Sequence, residues 1–140
     1  MPRIMAIDYG TRRTGIAVTD PLQIIAGPLG TYPTETLMGV IRDYLSHEPV
    51  ETIVLGDPKY PDGNPAQLSE TVAGLARKLA STFQDIQIVL HDERYTSIEA
   101  EKIIRQVVAS KKKRRDKGLV DKVSAVLILQ DFLEHSRNKK

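Results

Sequence analysis

Three carboxylates stand in similar settings in this chain. Asp8 closes the apolar run Arg3-Ile4-Met5-Ala6-Ile7, Glu93 follows Ile86-Gln87-Ile88-Val89-Leu90, and Asp121 opens the helix-like stretch from Val120 to Leu133. A carboxylate beside a core is costly unless something positive neutralises it. Three of them on neighbouring elements make a cage for a hard divalent cation, which takes oxygen ligands. Phosphodiester hydrolysis needs a water deprotonated near neutral pH and charge stabilised on the leaving oxygen, and Mg²⁺ or Mn²⁺ supplies both. The pattern therefore predicts a metal-dependent hydrolase with Asp8, Glu93 and Asp121 as metal ligands and catalytic residues. The three histidines, His47, His91 and His135, show no His-x-x-x-His spacing and give no sign of zinc.

Each acid also has an ordinary structural alternative. Asp8 can accept hydrogen bonds from the turn that follows it. Glu93 can pair with Arg94 or another surface arginine. Asp121 lies in the first helical turn, where the helix dipole favours an acid. Taken together these alternatives weaken, because three independent accidents would have to share one pattern. On a helical wheel Asp121 also falls among Ala125, Ile128 and Phe132, inside the apolar arc of its helix.

The elements that must position these acids follow from the hydrophobic pattern. Arg3 to Tyr9 is apolar on both faces and reads as a central strand. Thr14 to Thr19 is a second strand, ended by Asp20-Pro21, and Gln23 to Thr31 a third. Short connections make antiparallel pairing the expectation for these three. The pattern then alternates: a helix over Thr34 to Ser46, a strand over Glu51 to Leu55, and a helix opened by Asn64-Pro65-Ala66-Gln67 with a stripe of Leu68, Val72, Leu75, Leu79 and Phe83. A strand from Ile86 to His91 comes next, then a helix from the capping box Thr96-Ser97-Ile98-Glu99 to about Ala109, and a last helix from about Leu119 to about His135. This order predicts one α/β domain over 1–140, with a charged loop at about 110–118 and a fraying basic tail at about 136–140.

The chain has 140 residues with 41% hydrophobic and 27% charged, which suits a single soluble core. Net charge is only +2, so charge carries information locally rather than overall. Lys111-Lys112-Lys113-Arg114-Arg115 places five positive charges just before the helix of Asp121, a basic arm suited to a nucleic-acid backbone or, alternatively, a solvated loop. Asp8-Tyr9-Gly10-Thr11-Arg12-Arg13-Thr14-Gly15 offers a glycine turn with Arg12 and Arg13 beside it, which can approach phosphate. The same loop suits an actin or sugar-kinase nucleotide site, but those folds need two large lobes, and it also suits a plain hairpin turn. With no Trp and only two Phe, an extended base-stacking platform is not expected. There is no Cys, hence no disulfide or thiolate site, and neither a secretory segment nor a membrane-spanning run is legible; a cytoplasmic location is the expectation.

Several segments together resemble one family. They are Ala6-Ile7-Asp8-Tyr9-Gly10 with Gly15-Ile16-Ala17-Val18, Gly56-x-Pro58 with Asp62-Gly63, His91-Asp92-Glu93-Arg94-x-Thr96-Ser97, and Lys117-Gly118-x-Val120-Asp121-x-x-Ser124-Ala125 with Ile128-Leu129-Gln130. In this order they look like the YqgF-type family of bacterial pre-16S ribosomal RNA nucleases, also described as Holliday-junction-resolvase-like. The resemblance implies an RNase H-like α/β fold: a mixed five-stranded sheet of order 3-2-1-4-5, the first three strands antiparallel, helices on both faces. It implies a cytoplasmic, divalent-metal nuclease maturing the 16S rRNA 5′ end, with its acids mapped onto Asp8, Glu93 and Asp121. One departure is Asp57, where the family often has Leu; either a surface change or an altered phosphate contact is open.

The expected activity is thus endonucleolytic, with Arg12, Arg13, Arg94, Lys111, Lys112, Lys113, Arg114, Arg115 and Lys122 positioning the nucleic acid, pre-rRNA before structured DNA. Resolution of four-way DNA junctions, which needs a dimer, and a non-catalytic RNA-binding module are the alternatives. A monomer or weak homodimer is the expected assembly.

Overall fold

The unbroken apolar run of β1 (Arg3–Asp8) puts it at the centre of the sheet, with Ile4 to Ile7 buried. The computed structural model describes residues 2–58, 67–92 and 117–138, with side chains in the last stretch over 123–136. β1 pairs antiparallel with β2 (Arg13–Thr19) and parallel with β4 (Val50–Asp57). β3 (Ala26–Pro33) lies antiparallel outside β2, and β5 (Gln87–Asp92) lies parallel outside β4, giving the order β3-β2-β1-β4-β5. That is the order and the pairing the motifs implied.

Strand alternation sorts the side chains into two cores. On one face Met5, Ile7, Ile16, Ile53 and Leu55 pack against Leu37 and Ile41 of α1 (Leu37–His47) and Val72 and Leu79 of α2 (Ser69–Thr82). On the other, Ile4, Ala6, Ala17 and Val54 meet Ala125, Ile128, Leu129 and Leu133 of α3 (Lys117–Asn138). Ala6 and Ala17 are small, which lets α3 approach the central strands closely. Burying Ile128 and Leu129 there contributes about 1.5–3 kcal/mol each.

Several boundaries differ from the pattern-based expectation; β4, for one, runs two residues past Leu55 to Asp57. β3 begins at Ala26 rather than Gln23 because Asp20 takes the intervening backbone into a turn. Its Oδ1 accepts from the N–H of Ile24 at 2.8 Å and of Ile25 at 2.7 Å, and its Oδ2 from Leu22 at 3.3 Å. These bonds, with Ile25 foremost, hold the Asp20 carboxyl below its ordinary pKa of 3.8. Residue Gln23 adopts φ 59° within the turn. Next, Thr34–Thr36 forms a 3₁₀ turn before α1 starts at Leu37. Finally, α3 runs from Lys117 to Asn138, past both expected ends and through the first residues of the expected tail. The expected helix near 96–109 and the helix start at Asn64 lie outside the described residues. No helix among the described residues is long and apolar enough to cross a membrane.

Candidate nuclease site

Parallel pairing brings the carboxyl ends of β1, β4 and β5 to one edge, and each strand ends there in an aspartate: Asp8, Asp57 and Asp92. Open α/β sheets carry their sites at this edge. Asp8 continues the row of Ile4 and Ala6, so it points to the face that α3 covers. It is partly buried, and its partner across the ladder is Gly15, which brings no side chain beside it.

The turn after Asp8 is fixed by a hydroxyl relay. Thr34 Oγ1 donates to the Gly10 carbonyl at 2.6 Å, and Thr14 Oγ1 stands 2.8 Å from Thr34 Oγ1. Since the Thr34 proton is committed to Gly10, Thr14 is the donor to Thr34. Thr34 N–H also bonds the Arg12 carbonyl at 2.9 Å. Gly10 is required for lack of space, because a Cβ there would overlap the carbonyl oxygen of Arg13. Arg12 and Arg13 both lie exposed beside this turn.

The other expected site residues divide into two groups. Asp121 and Lys122 lie on the backbone of α3, Asp121 four residues (about one turn) before buried Ala125. Glu93, Arg94 and the basic run Lys111 to Arg115 lie outside the described residues; β5 ends at Asp92, immediately before Glu93. Ser124 is buried at 1% exposure, and its Oγ finds no hydrogen-bond partner among the described residues.

Two features of this region escaped the sequence reading. Asp57 accepts from Ser69 Oγ at 2.7 Å, so it ties the end of β4 to the start of α2. His91, on β5, meets Asp131 of α3 at 2.6 Å (Nε2 to Oδ2), and His135 lies against the same aspartate. The only sequence signal for the second was the four-residue spacing of Asp131 and His135.

A 3-2-1-4-5 sheet with acids at its parallel edge and a helix across one face is the architecture of the RNase H-like resolvases. The structure is similar to a fowlpox virus resolvase solved with Holliday junction DNA, at TM-score 0.58 and 13% identity over 96% of this chain and 98% of that one. It is equally similar to Thermus thermophilus RuvC, at TM-score 0.58 and 13% identity over 97% and 96% of the two chains. At such identities the likeness establishes the fold.

The sequence is more specific. The family model described as "RuvX: Holliday junction resolvase" matches residues 2–135. A protein of Porphyromonas gingivalis is 51% identical over 96% of this chain and 98% of its own length, and one of Flavobacterium johnsoniae is 44% identical over 98% and 99%. Both carry the name "Putative pre-16S rRNA nuclease". The chain belongs to the RuvX family, the one its YqgF-type motifs resemble. It is a nuclease, its substrate class is nucleic acid, and divalent-metal dependence goes with the family.

Proposed function

We propose that this chain is a Mg²⁺- or Mn²⁺-dependent endonuclease that matures the 5′ end of pre-16S rRNA in the cytoplasm, acting as one domain and as a monomer or weak homodimer. The observation that carries the reading is the position of Asp8, partly buried at the carboxyl end of the central strand on the face covered by α3. The nuclease-named relatives, matched end to end, support the RNA substrate.

Asp8, Glu93 and Asp121 hold the metal. This donor set is all oxygen, which fits a hard cation that keeps several waters. When bound, the ion supplies an activated water and charge stabilisation at the phosphate. The protein's own part is positional. The Thr14–Thr34–Gly10 relay fixes the turn behind Asp8, and that turn presents Arg12 and Arg13 to the scissile strand. Arg94, Lys111, Lys112, Lys113, Arg114, Arg115 and Lys122 hold the backbone on either side by charge.

The test is incubation with a precursor 16S rRNA fragment, with and without Mn²⁺, mapping new 5′ ends. A four-way DNA junction is run in parallel. Metal-dependent RNA cleavage that vanishes in a folded Asp8→Asn variant is expected. Equal cleavage by Asp8→Asn overturns the mechanism, and cutting of the junction alone overturns the substrate.

A further inference from the structure

Beside the acidic edge, His91, Asp131 and His135 each offer one donor atom, and these atoms all lie within 4.8 Å of one another. Asp131 is shared: its Oδ2 is 2.6 Å from His91 Nε2 and its Oδ1 3.6 Å from His135 Nδ1. The two imidazole rings stand edge to face at 5.4 Å. Phe132 packs against the His91 ring at 6.1 Å between centroids, also edge to face. The His91 side chain is 15% exposed and that of His135 63%, so one donor is held by packing and the other has solvent space to turn into.

We propose that these three residues form a binding site for a zinc-class cation, separate from the hard-cation cage. Two imidazoles and one carboxylate suit zinc and its neighbours, whereas Mg²⁺ and Mn²⁺ prefer oxygen alone. Three protein ligands leave a fourth, solvent-facing position for water. Tetrahedral bonds of about 2.0–2.1 Å put ligand atoms about 3.3 Å apart. The His91–Asp131 pair must therefore open slightly and His135 must swing in, which its exposure permits. His135 already has Nδ1 at 2.8 Å from the Asp131 carbonyl. Donation of that N–H to a backbone carbonyl is the usual second interaction of a metal-binding histidine; Nε2 is then the ligand atom, and the ring must turn to bring it toward His91 and Asp131.

The consequence is a staple. His91 lies on β5, one residue before its last residue Asp92, and Asp131 and His135 lie on α3. The bound cation ties the strand that precedes Glu93 to the helix that bears Asp121. The site does not depend on the nuclease reading.

The test uses the untagged full chain, with excess Mg²⁺ present to occupy the all-oxygen cage. Calorimetric titration with Zn²⁺ is expected to show one equivalent bound and a raised unfolding temperature. Binding is expected to weaken at least tenfold in His135→Ala and in Asp131→Asn, while Asp8→Asn binds as the unmodified chain does. His135 is exposed, so its truncation leaves the cores untouched. Equal Zn²⁺ binding by His135→Ala and the unmodified chain overturns the proposal. So does loss of binding in Asp8→Asn instead, which would assign the ion to the acidic cage and bear on the nuclease reading rather than on this site.

Discussion

Replacing Thr34 by Val tests whether the turn behind Asp8 is held as described. The substitution deletes the bond to the Gly10 carbonyl and strands the Thr14 hydroxyl, which is fully buried. A buried hydroxyl left without a partner costs about 1–3 kcal/mol, and a single net hydrogen bond about 0.5–1.5 kcal/mol. Thr34→Val is therefore expected to lose about 2 kcal/mol in urea unfolding at unchanged m-value. Thr14→Val removes only the first donor, leaves Thr34 bonded to Gly10, and is expected to lose about 1 kcal/mol. The double variant has no stranded hydroxyl. Its loss is expected to fall short of the sum by about 1 kcal/mol. In the cleavage assay Thr34→Val is expected to slow turnover about tenfold, equivalent to about 1.4 kcal/mol of lost positioning. Additivity of the two single variants within about 0.3 kcal/mol would refute the relay.

Two further outcomes follow from buried and capped groups. Ser124→Ala removes an Oγ with no partner among the described residues, so stability is expected to hold or rise by up to about 1 kcal/mol; a clear loss in thermal unfolding would mean the hydroxyl is bonded. Asp20 has a depressed pKa, so its contribution is present above 3.8 and lost as the pH falls through the lower native value. Asp20→Asn keeps an acceptor but cannot titrate. The drop in urea midpoint from pH 6 to pH 3 is expected to be smaller in the variant, and an unchanged drop would contradict the assignment.

Legibility in the sequence followed how local the governing physics was. β1 was readable because a strand buried on both faces must be apolar throughout, and Asp8 stood out by breaking that rule at its end. The start of β3 was misread because Ile24 and Ile25 look like strand residues, yet they are 55% and 68% exposed in the turn that the Asp20 carboxylate organises. The role of Asp57 is not legible locally because Ser69, which donates to it, stands twelve residues further along the chain. The three histidines were read by spacing alone, and spacing cannot reveal that β5 and α3 bring His91 against Asp131, 40 residues away. The same limit applies to the acidic cage. The proposed members are inferred from where each stands on its own element, and whether they meet depends on tertiary structure.

That meeting is the central claim, and Mn²⁺ binding to Asp121→Asn tests it most directly. Asp121 lies on α3 and Asp8 on β1, so an ion shared by the two would make either substitution weaken Mn²⁺ binding. Electron paramagnetic resonance titration of free Mn²⁺ is expected to show binding at least tenfold weaker in Asp121→Asn than in the unmodified chain, and weakened likewise in Asp8→Asn. Mn²⁺ affinity unchanged by Asp121→Asn, in a variant that still unfolds cooperatively, would contradict the account.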